Sequence, residues 1–249
     1  MGRIVHSFSS KECPSLPAGG RTSVGYSSKP FQNSESYQNH LQPLNELRNQ
    51  YFALRHGQSL ANVAGIIASN PEIALQQYGL SETGREQAQA AGTALVTRFQ
   101  LQQTAAGIAI VTSDLLRAKE TAQLVANAVL EAGIPLYHDD LVMDTRLRER
   151  YFGEWDLHSD QHYHDVWKDD ATDPSHTVKN VESVWSVTDR ATRCVLSWDA
   201  TLHNHWIVCV AHGDVLQILQ TAFSKMVPSQ HRSLEHLETA TLRPLKLAK

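Results

Sequence analysis

The chain has 249 residues, with 22 lysines and arginines against 26 acidic residues and a formal net charge of -4. That length allows one α/β domain with tails or two small domains. The charge argues against a general nucleic-acid binder, which carries a basic stripe, and no apolar run approaches the length of a membrane span.

The three cysteines, Cys13, Cys194 and Cys209, lack CxxC spacing, so neither a disulfide framework nor a thiolate zinc site is expected. A reducing compartment fits this usage, and the expected placement is cytoplasmic. Residues 1–48 stand apart from the rest. They are rich in Ser, Gly, Pro, Asn and Gln and have no sustained periodicity. Composition reads them as a disordered tail. Their basic, Ser-rich and acid-poor first thirty residues also fit an organelle transit peptide.

From residue 49 the pattern alternates strand and helix. Tyr51–Leu54 reads as a buried strand. Thr83-Gly84-Arg85-Glu86 has capping-box spacing and is expected to open a helix to about Phe99. Gly107–Val111 is the next strand, ending at Thr112-Ser113-Asp114. A helix follows, with Leu115, Ala118, Ala122, Val125 and Val129 at steps of three and four, stopped by Gly133 and Pro135. Leu136–Val142 reads as another strand, and residues 153–180 as irregular. Val181–Leu202 reads as a long helix, Trp206–Ala211 as a strand and Asp214–Phe223 as a helix. The stretch Thr239–Leu245 reads as a last edge strand, since proline is confined to edges. Strands separated by helices predict an α/β fold, a three-layer α/β/α sandwich with a mainly parallel central sheet.

Two of these strands end in His-Gly: Arg55-His56-Gly57 and His212-Gly213. One sheet would then deliver two imidazoles to its carboxyl edge, where open α/β sheets bind ligands. Gly57, Ser59 and Asn62 supply short polar groups and free N–H groups for an anion nest. Arg117 falls in the first turn of its helix, where a cation opposes the helix dipole. It is either a surface arginine pairing with Asp114 or Glu120, or a ligand for a dianion bound at the helix N-terminus. Glu149 lies among Arg146, Arg148 and Arg150. It is either part of a solvated ion network or a general acid whose proton is held by nearby negative charge. The histidines His158, His162, His164, His203 and His205 lack a ligand pattern for a metal. Tyr163, Trp155 and Trp167 are expected to line or cap the pocket.

Five blocks now stand in order. They are Leu54-Arg55-His56-Gly57-Gln58-Ser59-x-x-Asn62, Leu80-Ser81-Glu82-Thr83-Gly84, Ser113-Asp114-Leu115-x-Arg117-Ala118-x-Glu120-Thr121-Ala122, Leu147-Arg148-Glu149-x-x-Phe152-Gly153 and Val210-Ala211-His212-Gly213. Together they resemble the histidine phosphatase superfamily, in its phosphoglycerate mutase-like branch, over roughly residues 50–223. The resemblance makes residues 49–249 a histidine phosphatase domain. It implies that His56 is the nucleophile, forming a phosphohistidine. It also implies that Arg55, Arg117 and His212 bind the phosphoryl oxygens and that Glu149 is the general acid and base. Asn62 and the Gly213 amide are further expected phosphate contacts. Ser59 is a candidate contact that more readily braces the loop. No metal or other cofactor is implied. Val181 stands where the family has a glycine before Glu182-Ser183, so no direct role is expected for Glu182.

The resemblance leaves three reactions to weigh. Mutases of the family carry Gly-Trp-x-Asp before the Leu-Ser block, where this chain has Leu75-Gln76-Gln77-Tyr78-Gly79, and the stretch from Glu149 to His212 is short. A mutase must exclude water and a phosphatase must admit it, so hydrolysis of a small phosphate monoester is favoured. Mutase-type phosphotransfer and a non-catalytic phospho-ligand binder are the alternatives. The expected partner is a small phosphorylated metabolite. Loops 63–79 and 153–180 contain few cations (Lys168 and Lys179), which gives no support for a second phosphate. Oligomeric state is not legible in the sequence.

Overall fold

The computed structural model describes residues 38–249; the first 37 residues of the expected tail or transit segment lie outside the described residues. Five strands form one sheet: β1 (Gln50–Arg55), β2 (Gly107–Thr112), β3 (Val142–Met143), β4 (His205–Ala211) and β5 (Leu242–Leu245), in the spatial order β3-β2-β4-β1-β5. All pairs are parallel except β1 with β5. The helices are α1 (Leu60–Ala64), α2 (Pro71–Ala74), α3 (Glu82–Gln102), α4 (Leu116–Glu131), α5 (Tyr163–Thr172), α6 (Val184–Thr201) and α7 (Gly213–Phe223).

Side chains alternate across a strand, and here both faces are apolar. Phe52, Leu54, Ile108, Ile110, Val208 and Val210 face one core with Leu95 of α3 and Val125 of α4. Tyr51, Ala53, Ala109, Val111, Ile207 and Cys209 face the other, with Trp198 of α6 and Leu219 of α7. Continuous apolar strands are the mark of a parallel sheet covered on both sides, and the three-layer α/β/α expectation is met.

Several local expectations need correction. Helix α3 is capped by Ser81, whose hydroxyl accepts from the Gly84 amide, so the Thr83–Glu86 box is not the cap. Leu136–Val142 is not one strand. A tight turn at Tyr137–Asp139 interrupts it, with His138 and Asp139 at φ 60° and 54°, and only Val142–Met143 pairs with β2 as strand. Residues 153–180 are not irregular throughout, since α5 lies within them. The long helix begins at Val184 rather than Val181, capped by Ser183. The expected edge strand exists as β5, with Pro244 opposite Phe52.

The body also begins earlier than residue 49. Asn39 donates to the carbonyl of Ala222, His40 meets Asp189 at 2.8 Å, and Leu41 is completely buried in the α6–α7 core. Leu41→Ala is therefore expected to cost about 2–5 kcal/mol, the range for emptying a buried leucine site. Urea unfolding checks this; an unchanged midpoint would take residues 39–47 off the core.

Candidate active site

Parallel pairing places the two His-Gly turns side by side. Arg55 of β1 stands opposite Ala211 of β4, and the His56 amide donates to the Ala211 carbonyl at 3.0 Å. The next residues, His56 and His212, leave the sheet together, with ring centroids 5.2 Å apart at 61°. On the other side of β4, the Ser113 amide donates to the carbonyl of Val210, and Ser113, the residue after β2, stands beside His212.

The His56 tautomer follows from its neighbours. Nδ1 lies 2.6 Å from the Gly57 carbonyl, an acceptor only, so Nδ1 carries the proton. Nε2 then holds a lone pair, and Arg117 Nε donates to it at 3.1 Å. Burial, then the charges of Arg117 and Arg55, holds this imidazole well below the usual histidine range, so it is neutral at physiological pH.

Arg117 is buried rather than a surface arginine. Both acids offered as its partners are engaged elsewhere: Asp114 binds Arg148 (2.7 Å to Nε) and Glu120 binds Arg85 (3.2 Å). Arg117 Nη2 donates to the Ala68 carbonyl, while Nη1 is buried with no partner. Arg55 Nη1 reaches the Leu237 carbonyl, yet its Nε is also buried and unpaired. His212 shares a 2.8 Å hydrogen bond with Ser113 through Nε2. With the hydroxyl donating there, Nδ1 carries the proton and meets no acceptor. Seven buried side-chain atoms lack a partner among the described residues, and three of them gather around His56. Such atoms are costly unless a ligand satisfies them.

Glu149 is not part of a solvated network. Its three flanking arginines take other carboxylates: Arg146 binds Asp144, Arg148 binds Asp114, and Arg150 binds Asp170 and Asp214. Glu149 is left buried, accepting from the Arg150 amide at 2.9 Å. Burial and then the Asp214 charge push its carboxyl up to about 7, against the pull of Arg117. Glu182 acts at one remove. It pairs with Arg190, which donates to the carbonyls of Arg146 and Arg148 and so fixes the segment carrying Glu149.

His56, Arg55, Arg117, Glu149, Asn62 and Gly213 line one pocket. Ser59 borders it too, but its hydroxyl donates to Asn62 Oδ1 at 2.9 Å and accepts from the Asn62 amide, closing a capping box on α1. Ser59 is thus a brace, and the Asn62 amino group is left for a ligand. Gly213 opens α7, where N–H groups have no intrahelical acceptor, and the Arg55 guanidinium packs against it, 3.4 Å from where a Cβ would stand. Tyr163 and Trp167 also line this pocket; Trp155 instead stacks on His162 and under Lys179. The basic residues of the pocket that the sequence does not point to are Arg232 and His236; Asp160 and Asp214 line it as well. The two basic residues follow α7 in a stretch without periodicity, and only the fold brings them back to Arg55.

Comparison with known proteins places the chain in a family. The family model of the histidine phosphatase superfamily (branch 1) matches residues 51–249. The chain belongs to that superfamily. Glucosyl-3-phosphoglycerate phosphatase of Mycolicibacterium vanbaalenii is 32% identical over 183 residues, 68% of this chain and 71% of the relative. Adenosylcobalamin/alpha-ribazole phosphatase of Salmonella typhimurium is 28% identical over 174 residues, 67% and 75% of the two chains. Among solved structures, a mycobacterial glucosyl-3-phosphoglycerate phosphatase in complex with VO3 superposes with a TM-score of 0.62 at 27% identity. That match covers 79% of this chain and 90% of the other.

The turn that presents His56 rests on two glycines. A Cβ on Gly57 would sit 2.3 Å from the Gly84 carbonyl oxygen, and one on Gly84 would sit 2.0 Å from that of Gln58. Both obstacles are backbone. Gly57→Ala is expected to lower stability by about 1–3 kcal/mol or more, as overpacking does, with loss of activity. Thermal unfolding and turnover of the variant check this.

Proposed function

We propose that this chain, a phosphatase of the histidine phosphatase superfamily, hydrolyses a small phosphate monoester through a phosphohistidine at His56. The observation that carries this reading is the set of unpaired buried nitrogens, Arg55 Nε, Arg117 Nη1 and His212 Nδ1, beside His56, at a pocket that His56 and both arginines line. A phosphoryl group satisfies all of them at once. Its oxygens accept from the two guanidinium groups, suited to phosphate by their planar forks, and from the imidazole. Asn62 and the Gly213 amide complete the cradle.

The chemistry then divides into two displacements. His56 Nε2 attacks phosphorus as the ester P–O bond breaks, and Glu149 passes its proton to the departing alkoxide. Water next attacks the phosphohistidine while Glu149 takes its proton back, and phosphate leaves. Arg55, Arg117 and His212 meet the charge on the equatorial oxygens in both transition states. Hydrolysis is preferred to mutase transfer because the stretch from Glu149 to His212 supplies one short lid helix, α5, and no larger insertion to exclude water. The phosphatases named above, which act on small phosphorylated compounds by their names, support the same class of substrate.

The histidine phosphatase domain is proposed to begin near Asn39 rather than at residue 49, because Asn39, His40 and Leu41 pack on α6 and α7, with a cytoplasmic placement or import directed by the residues before it. No helix among the described residues is long and apolar enough to cross a membrane.

The test is phosphate release from a monoester panel, with and without chelator. Release is expected to survive chelator and to fall by at least about 10³-fold in His56→Ala, the scale on which loss of a nucleophile is read. Full turnover in that variant would remove the mechanism. Faster isomerisation of 3-phosphoglycerate than phosphate release would favour the mutase reading.

Glu149 sets a pH dependence. The leaving-group step needs its protonated form, and its carboxyl titrates at about 7, so kcat/KM is expected to be full below that pH and to fall as pH rises through it. His56 stays neutral down to well below 6.5 and adds no limb there. Glu149→Gln should erase the alkaline limb while cutting turnover of alkyl phosphates by about 10²–10⁴-fold. A limb that persists in the variant would belong to another group.

A further inference from the structure

The segment after α7 returns over the pocket and holds two basic side chains at its mouth, Arg232 and His236. This segment is fixed by its backbone. Gln217 Nε2 donates to the carbonyls of Leu234 and Glu235, Arg243 donates to those of Glu235 and His236, and Arg55 donates to that of Leu237. His231, fully buried, closes the turn before it by donating from Nδ1 to the Pro228 carbonyl at 3.0 Å. The positions of Arg232 and His236 are therefore preset before any ligand arrives.

Their hydrogen bonding does not balance. His236 Nε2 lies 3.1 Å from Arg55 Nη1, and its Nδ1 lies 3.4 Å from Arg232 Nη2. Both guanidinium groups can only donate. A neutral imidazole offers one acceptor nitrogen, and the closer contact, with Arg55, takes it. Nδ1 then carries a proton that faces Arg232. Partial burial, with Arg55 and Arg232 beside it, lowers the tendency of His236 to charge, so it does not become a third cation. Arg232 forms no ion pair with a carboxylate among the described residues; its guanidinium carbon instead lies over the Trp167 ring, 3.7 Å from the centroid. Trp167 is itself pinned, its Nε1 donating to Asp214 at 2.8 Å. The acids facing the pocket do not supply the missing acceptor. Asp214 is taken by Arg150 and Trp167, Glu149 holds a proton up to about 7, and Asp160 stands on the side of α1.

We propose that Arg232 and His236 form a second anion subsite, which binds a carboxylate or a second phosphate on the leaving group of the phosphate ester. This rests on the phosphatase reading of the same pocket and names its substrate class. The first phosphate would lie on His56, Arg55 and Arg117. The second anion would accept from Arg232 and from the His236 Nδ1 proton, removing the clash of donors. The loops weighed in the sequence reading, 63–79 and 153–180, contribute no cation here; the charge comes from the C-terminal segment.

The experiment compares two pairs of esters on the purified full chain. Glycerol 3-phosphate and 3-phosphoglycerate differ only in a carboxylate; fructose 6-phosphate and fructose 1,6-bisphosphate differ only in a second phosphate. The wild type is expected to prefer the doubly anionic member of at least one pair by about tenfold or more in kcat/KM, the scale of one charge-assisted contact. The pair that shows the preference identifies the anion. Arg232→Gln should bring that ratio close to one, and Arg232→Lys should restore part of it. A wild-type ratio near one in both pairs, or a ratio unmoved by Arg232→Gln, would overturn the subsite. If no ester is hydrolysed, the phosphatase reading fails separately, and calorimetric binding of the same pairs to wild type and Arg232→Gln decides the subsite by the same ratio.

Discussion

The site depends on the register of β1 against β4. With Arg55 opposite Ala211, two strands far apart in sequence end at the same level, and the residues that follow them become neighbours. A slip of one residue would turn every side chain of β1 to the other face. It would send Phe52 and Leu54 away from α3 and α4 and carry His56 off His212. The register is secured because both faces of the sheet are apolar and each is matched by a different helical layer. Packing that stabilises the fold thus also sets the distance between the two imidazoles.

Charge is distributed around that frame with unequal compensation. Arg150 is completely buried, and it is balanced by two carboxylates, Asp170 and Asp214; removing either partner would strand a charge in the interior. Around His56 the balance is deliberately incomplete. Arg55 and Arg117 form no ion pair among the described residues, and Glu149, the acid that acts most strongly on Arg117, is held toward its neutral form by burial and by Asp214. The free protein therefore carries an excess of positive potential and of hydrogen-bond donors at one point. Such a preset environment needs little rearrangement when a dianion arrives.

Much of this was legible in the sequence because it is local. The two His-Gly strand ends, the Arg117 helix start and the alternation of strand and helix are each written in a few consecutive residues. What was missed depends on distant contacts. Helix α5 has Tyr163, Val166, Trp167 and Asp170 at helical spacing, but Asp170 counts as a buried position only once Arg150 and His176 are known to reach it. Leu41 lies in a polar stretch, and nothing nearby in the chain marks it as core. The solvated reading of Glu149 was reasonable from its neighbours in sequence; in space those three arginines turn to Asp144, Asp114 and the Asp170–Asp214 pair. Arg232 and His236 could not be placed without the path of the chain after Phe223.

The sheet also ends in a way that bears on the company the protein keeps. On one side the last strand is β3, only two residues long, and on the other it is β5, four residues with Pro244 among them. Proline brings no N–H to a ladder, and two residues offer almost no template for a further strand. An open sheet with long bare margins invites other chains to extend it, and aggregation follows. Here both end strands are short, and one is interrupted by proline, which limits the pairing that another chain could add.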